Sequence, residues 1–238
     1  MSELTRLALV GATGLIGRRV IETCNDVDDI RVVGVSRREA PLPDGARMEM
    51  FVAEPDKWGE VFASIKPRAL ICALGTTWKK SGRDEAAFRA VDYDLILATA
   101  EAAVDAGIPN MVIVSSVGAD PTVKNFYLRV KGETEQALSK VGFKRLDILR
   151  PGLLRGSRIN DWRIGERLAM VASPVLDPLL GGKWSIYRSI EARIVAEAAL
   201  GLAMRNAAGR FIHDGDAMKR AARDWRDRIE RLQPGEDE

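Results

Sequence analysis

Short apolar runs punctuate this chain, and between them apolar residues recur at helical spacing. Leu4–Val10 is a largely apolar run that stops at Gly11, the pattern of a buried strand. Gly14–Asn25 follows, with Leu15, Ile16, Val20 and Ile21 on one helical face. Ile30–Val35 predicts a second strand, Met48–Ala53 a weaker third, and Ala69–Leu74 a fourth that ends at Gly75. Asp84–Ala106 predicts one long Ala-rich helix, stopped by Gly107 and Pro109. Met111–Val114 predicts a fifth strand, running into Ser115 and Ser116. Phe126–Val141 predicts a helix closed by Gly142, and Leu146–Leu149 a sixth strand closed by Arg150-Pro151-Gly152. Ile190–Arg205 predicts a helix and Arg210–Ile212 a last short strand. Ala217–Leu232 predicts a charged amphipathic helix, and Pro234–Glu238 a disordered tail.

Strands alternate with helices, and the strands are continuous apolar runs rather than alternating ones. That pattern predicts an α/β fold with a doubly wound parallel sheet covered on both faces. Right-handed crossovers then put the ligand crevice at the carboxyl ends of the strands. The residues with chemical potential cluster just after the first, second, fourth, fifth and sixth strands. No repeat or low-complexity linker divides the chain. Residues 1–238 are expected to form one domain, with 153–215 as a small substrate-binding segment and 216–238 as a charged helix and tail.

Glycine spacing sharpens that picture. Gly11-Ala12-Thr13-Gly14-Leu15-Ile16-Gly17 follows a strand and opens a helix. Glycines let the backbone approach a pyrophosphate, and the helix N-terminus offers unpaired N–H groups to its charge. A plain tight turn would carry the same glycines. The register of strand, loop and helix favours a dinucleotide, with Thr13, Leu15 and Ile16 lining it, and hence a Rossmann-type sheet. NAD-binding domains place an acidic residue about 20 residues beyond this loop, on the ribose 2′-hydroxyl. Here the second strand runs into Ser36-Arg37-Arg38, with no carboxylate. Two guanidinium groups and a hydroxyl suit a 2′-phosphate, so the expected cofactor is NADP(H) rather than NAD(H).

Tyr127 and Lys131 stand four residues apart on a predicted helix, one turn of one face. Hydride transfer to a carbonyl needs a proton donor at the developing alkoxide. Tyrosine can supply it, and a neighbouring ammonium together with a cationic nicotinamide favours the phenolate. Lys131 would also bind the nicotinamide ribose. A serine hydroxyl can orient the substrate oxygen. Ser115 and Ser116 are both candidates: the strand end favours Ser116, the distance back from Tyr127 favours Ser115. By itself a Tyr-x-x-x-Lys spacing occurs by chance on helices, and it gains force from arriving after the Ser-Ser strand end.

Composition narrows the alternatives. Lys+Arg number 36 and Asp+Glu 34, a net charge of +2, so no bulk charge draws the chain to nucleic acid or to an anionic membrane. No stretch approaches the roughly 18 apolar residues that span a bilayer, and no signal peptide is expected. Cys24, Cys72 and His213 are the chain's cysteines and histidine. They leave no zinc cluster and no histidine-based triad, so no metal is expected. Two buried free thiols fit a reducing compartment, read as the cytoplasm.

A larger set of residues carries a resemblance. Cys72-Ala-Leu74-Gly75-Thr76-Thr77, then Ser115-Ser116-Val-Gly-Ala-Asp120, then Asn125-Phe-Tyr127-Leu-Arg-Val-Lys131-Gly-Glu133, and then Arg150-Pro151-Gly152 are similar to the atypical short-chain dehydrogenases/reductases. Within them the chain resembles the oxidoreductase-like CC3 group, related to the HIV Tat-interacting protein, over roughly residues 4–215. The resemblance implies a Rossmann fold with a small C-terminal substrate region, and NADPH as ligand. It places Leu74, Gly75 and Thr76 beside the cofactor ribose, and Pro151, Gly152, Leu153 and Leu154 at the nicotinamide. It implies a small carbonyl or alcohol substrate. It is also compatible with a homodimer, because the Asp84–Ala106 and Tyr127 helices are those that pair in many members. No extended N-terminal arm of the kind some relatives carry is expected, since the first strand begins almost at Met1.

Two function classes remain. One is an NADP(H)-dependent oxidoreductase. The other is a non-catalytic NADPH-binding regulator or scaffold, since the group contains both; retention of Tyr127 and Lys131 favours the first. A nucleotide-sugar epimerase is disfavoured by the short stretch after Arg150. Arg155 and Arg158 could meet an anionic substrate, and Trp162 and Trp184 could wall an apolar one, against defaults of surface charge and core packing. His213 is expected to be structural, and the mixed charges of the last helix to be a solvated face.

Overall fold

A computed structural model describes residues 4–25, 27–39, 41–43, 45–46, 48–155 and 188–232. Seven parallel strands form its central sheet: β1 (Thr5–Val10), β2 (Ile30–Ser36), β3 (Glu49–Val52), β4 (Ala69–Cys72), β5 (Asn110–Val114), β6 (Arg145–Leu149) and β9 (Gly209–His213). Their order is β3-β2-β1-β4-β5-β6-β9. A second, two-stranded parallel sheet pairs β7 (Leu154–Arg155) with β8 (Ile190–Glu191). The expectation of a doubly wound parallel α/β sheet is met. Order reverses between β1 and β4, which opens the crevice where such folds bind ligands.

Alternation along each strand feeds two core layers. Leu7, Leu9, Ile71 and Val112 point to one face, against α1 (Leu15–Cys24), α6 (Ala192–Ala203) and α7 (Gly215–Leu232). Ala8, Val10, Leu70, Cys72, Met111 and Ile113 point to the other, against α2 (Trp58–Ile65), α4 (Ile96–Asp105) and α5 (Phe126–Leu138). Both sides of each central strand are therefore buried, which is why those strands read as unbroken apolar runs.

Two departures from the expected elements have physical causes. No helix was expected over 55–65, yet a 3-10 turn at Pro55–Lys57 leads into α2. Its signals are present: Pro55 opens the turn, and Trp58, Phe62 and Ile65 share one buried helical stripe. The single helix expected over Asp84–Ala106 is interrupted. Asp84 caps α3 (Glu85–Arg89) by accepting the Ala87 N–H at 2.6 Å, and a π-helical segment, Ala90–Leu95, then leads into α4. The extra residue per turn rotates Asp92 inward, where it is fully buried.

Candidate functional site

The loop after β1 is built by close packing. Gly11 has φ +85, a left-handed conformation, and a Cβ there would lie 2.5 Å from the Ala73 carbonyl. Gly17 presses its Cα against the Gly11 carbonyl so tightly that no Cβ fits. These two glycines bring α1 onto β1 and β4 rather than lining the cleft themselves. Gly14 stands at the N-cap of α1 with no side-chain hydrogen bond to the cap, and no acidic residue occupies the first turn. The helix start thus keeps its N–H groups and partial positive charge for an anion.

A cleft of 690 Å³ opens above this loop. It is lined by Thr13, Gly14, Leu15 and Ile16 from the glycine loop, Leu74, Gly75 and Thr76 from the end of β4, and Ser115, Tyr127, Lys131 and Leu154. The structure therefore draws together residues that lie more than a hundred positions apart in the chain. Asn125 caps α5 by accepting the Leu128 N–H at 3.0 Å, which starts the helix one turn before Lys131. Tyr127 packs edge-on against the buried Phe88 ring, 5.6 Å between centroids.

Lys131 is only 6% exposed, and its Nζ lies 2.8 Å from Asp92 Oδ1. Asp92 Oδ2 accepts the Thr76 N–H at 2.7 Å. Burial alone pulls the Lys131 ammonium down, but the Asp92 carboxylate, with smaller contributions from Tyr127 and Cys72, more than offsets it and holds it above its ordinary value. The sequence reading missed Asp92. A lone aspartate in an Ala-rich helix carries no signal without the π-helical turn that points it inward.

The serines separate. Ser115 is buried and lines the cleft, and its hydroxyl donates to Glu135 Oε1 at 2.5 Å. Arg150 holds the same carboxylate, with Nη2 2.5 Å from Oε2 and Nε 3.0 Å from Oε1. Ser116 sits outside the cleft lining, with its hydroxyl 3.3 Å from the Val117 carbonyl. Glu135 is a second missed residue, although Tyr127, Lys131 and Glu135 follow a four-residue spacing on one face.

Other expected residues lie outside the cleft lining. Arg37 and Arg38 are exposed at the end of β2, and the Ser36 hydroxyl donates to the Arg38 carbonyl at 2.6 Å, shaping the turn. Arg18 of α1 lines the cleft and reaches towards this turn, its Nη1 3.3 Å from the Pro41 carbonyl. Pro151 is buried, and its carbonyl accepts the Val117 N–H at 3.0 Å; Gly152 is half-buried and Leu153 exposed. His213 Nε2 lies 2.8 Å from Asp147 Oδ1, and Arg145 grips the same carboxylate at 2.6 and 2.8 Å, a buried arrangement away from the cleft. Arg158, Trp162, Trp184 and most of 153–215 lie outside the described residues, as does the tail. Among the described residues there is no group of three metal-ligating side chains, and no helix is long and apolar enough to cross a membrane.

The glycine loop, the uncapped start of α1 and the cleft beside them suit a dinucleotide, and comparison with known proteins agrees. A family described as NAD(P)H-binding matches residues 11–173. Protein FMP52, mitochondrial, of Meyerozyma guilliermondii is 35% identical over 155 residues, 64% of this chain and 66% of that relative. The protein of the same name from Emericella nidulans is 35% identical over 162 residues, 65% of this chain and 69% of the relative. Among solved structures, MoeE5 in complex with UDP-glucose and NAD shares the fold, with TM-score 0.66 and 15% identity over 87% of this chain and 75% of that one. The relatives' names overturn the cytoplasmic expectation, since they are mitochondrial proteins. Unpaired Cys24 and Cys72 ask only for a reducing compartment, and the cytoplasm is not the only one.

Proposed function

Since the chain belongs to the NAD(P)H-binding family and groups with the FMP52 proteins, we propose that it is an NADP(H)-dependent oxidoreductase of the atypical short-chain dehydrogenase type, acting on a small carbonyl or alcohol. One observation carries this reading: α5 presents Tyr127 and Lys131 into the same cleft as the glycine loop and the uncapped start of α1. The cofactor would supply or take the hydride. Tyr127 donates a proton to the substrate oxygen as a carbonyl becomes an alcohol, and recovers it in the reverse direction. Lys131 holds the ribose hydroxyls beside Gly75 and Thr76. Ser115 orients the substrate oxygen. Its proton points to Glu135, so it accepts from an alcohol as it stands and must turn that proton away to donate to a carbonyl. The resemblance of Cys72–Leu154 to the group related to the HIV Tat-interacting protein belongs to the same proposal.

The deciding experiment is an NADPH-oxidation screen over aldehydes, ketones and quinones, paired with thermal shifts in NADPH and NADH. Turnover with a larger NADPH shift is the expected result. A shift without turnover on any carbonyl would favour the non-catalytic regulator instead.

The preference for NADP(H) rests on Arg37 and Arg38. Their joint replacement by Ala is expected to weaken NADPH by roughly 10–100-fold, the worth of charged hydrogen bonds to a phosphate. NADH binding, measured by the same titration, should barely change. Equal losses for the two cofactors would sink the assignment.

A further inference from the structure

The charges that line the cleft do not all cancel. Arg19 pairs with Glu22 on α1, and Lys131 with Asp92, 2.8 Å apart. Arg18 and Lys80 are left as cations without a carboxylate. Arg18 faces the turn after β2, where its Nη1 meets the Pro41 carbonyl at 3.3 Å. Lys80 has no ion-pair partner among the described residues. It stands on the loop between β4 and α3, which is folded back on itself. The Ser81 N–H reaches the Thr77 carbonyl at 3.0 Å, and the Arg83 N–H reaches the Trp78 carbonyl at 2.9 Å. The Lys80 N–H reaches Thr77 Oγ1 at 3.3 Å. Gly82 and Arg83 both take left-handed φ, 69 and 61, and these bonds hold the arginine in a conformation it rarely adopts. Trp78 ties the loop to the side of the cleft where Tyr127 stands. Its ring lies 5.5 Å from Phe126 and 6.4 Å from Phe88, and Phe88 packs against Tyr127.

We propose that Lys80 determines specificity, and that the compound it selects is a carbonyl or alcohol bearing a carboxylate at a distance from the reacting carbon. The proposal rests on the reading of Tyr127 and Lys131 as the residues at the reacting oxygen. Lys131 cannot also attract the carboxylate, because Asp92 already neutralises it. Lys80 offers a single point charge on a flexible stem. One carboxylate matches that charge, whereas a phosphate dianion would leave half of its own charge unmet. Inside a cleft the pair is less screened than on an open surface, so it outweighs the cost of removing water from both ions more readily there. The ordered loop fixes the base of the lysine stem before the compound arrives, which lowers the entropy lost on binding.

Calorimetric titration of the full chain saturated with oxidised cofactor tests this without turnover, because an oxidised nicotinamide has no hydride to give a carbonyl. The acid para-formylbenzoate should bind about five-fold or more tightly than para-formylbenzamide, which has the same shape and no charge. Levulinate and its methyl ester give the same comparison on an aliphatic chain. Lys80→Met should remove the advantage of the acid, and Lys80→Arg should keep it. Lys80 is exposed, so neither change disturbs packing. Lys79→Met, on the same loop but outside the cleft lining, should leave the advantage in place. The proposal is overturned if neither acid outbinds its neutral partner, or if the advantage survives in Lys80→Met. It is also overturned if Lys80→Met weakens NADPH as much as it weakens the acid, since Lys80 would then serve the cofactor phosphates. An acid preference carried by Lys80 in a protein that turns over no carbonyl supports the assignment of Lys80 and counts only against the enzymatic reading.

Discussion

Tyr127→Phe should abolish turnover, lowering kcat by about 10²–10⁴-fold, while the thermal shift produced by NADPH stays at its wild-type size. The two readouts separate because the substitution removes one hydroxyl and leaves the ring. The ring is what packs against Phe88, in the edge-on contact at 5.6 Å, so the fold of α5 and the shape of the cleft survive. The glycine loop and the start of α1, to which the proposed function assigns the cofactor phosphates, lie on other elements. Steady-state kinetics on any substrate found in the carbonyl screen provides the test. Turnover that persists in the Phe variant would remove Tyr127 from the acid–base role, and a lost NADPH shift would mean that the hydroxyl serves binding.

Gly132→Ala should destabilise the protein by more than about 3 kcal/mol, and lower Tm by roughly 6–12 °C for a chain of this size. The sign is the informative part. Gly132 lies inside α5, where Ala is ordinarily preferred to Gly by about 1 kcal/mol. Here a Cβ would press into the backbone of Asp120 and Pro121, which has no flexible side chain to move aside. The helix would have to back away from that loop and carry Lys131, its neighbour in sequence, with it. Cofactor binding should therefore weaken along with stability. Thermal unfolding with and without NADPH checks both, and a variant as stable as wild type would show that the contact relaxes cheaply.

What could be read from the chain divides by range. The strand Ala69–Cys72 was legible because both of its faces are buried, so every residue reports apolar. The glycine loop was legible because its spacing, its preceding strand and its following helix are all local. Tyr127 and Lys131 were legible for the same reason, as one turn of one helix. Asp92 and Glu135 were not, because their roles come from partners far along the chain: Lys131 is 39 positions from Asp92, and Ser115 is 20 from Glu135. A carboxylate in an Ala-rich or charged helix looks solvated until the fold buries it. The choice between Ser115 and Ser116 was undecidable from spacing, since adjacent strand-end residues point to opposite sides. In the fold Ser115 lines the cleft and bonds to Glu135 of α5, while the Ser116 hydroxyl lies beside the Val117 carbonyl. The helix at Trp58–Ile65 was readable and was passed over, its stripe being short and preceded by a loop rich in charge.

The two core layers also make the chain its own reporter of how it opens. Cys24 lies in the layer under α1, α6 and α7, and Cys72 in the layer under α2, α4 and α5. Burial pushes both thiols up to about 12, which keeps them protonated and unreactive while the native packing holds. Each can be labelled only when its own side of the sheet parts from its helices. The rates at which a thiol reagent takes the two cysteines therefore measure two separate opening equilibria, one for each face. A ligand gripping the β4–α5 side should slow labelling at Cys72 more than at Cys24.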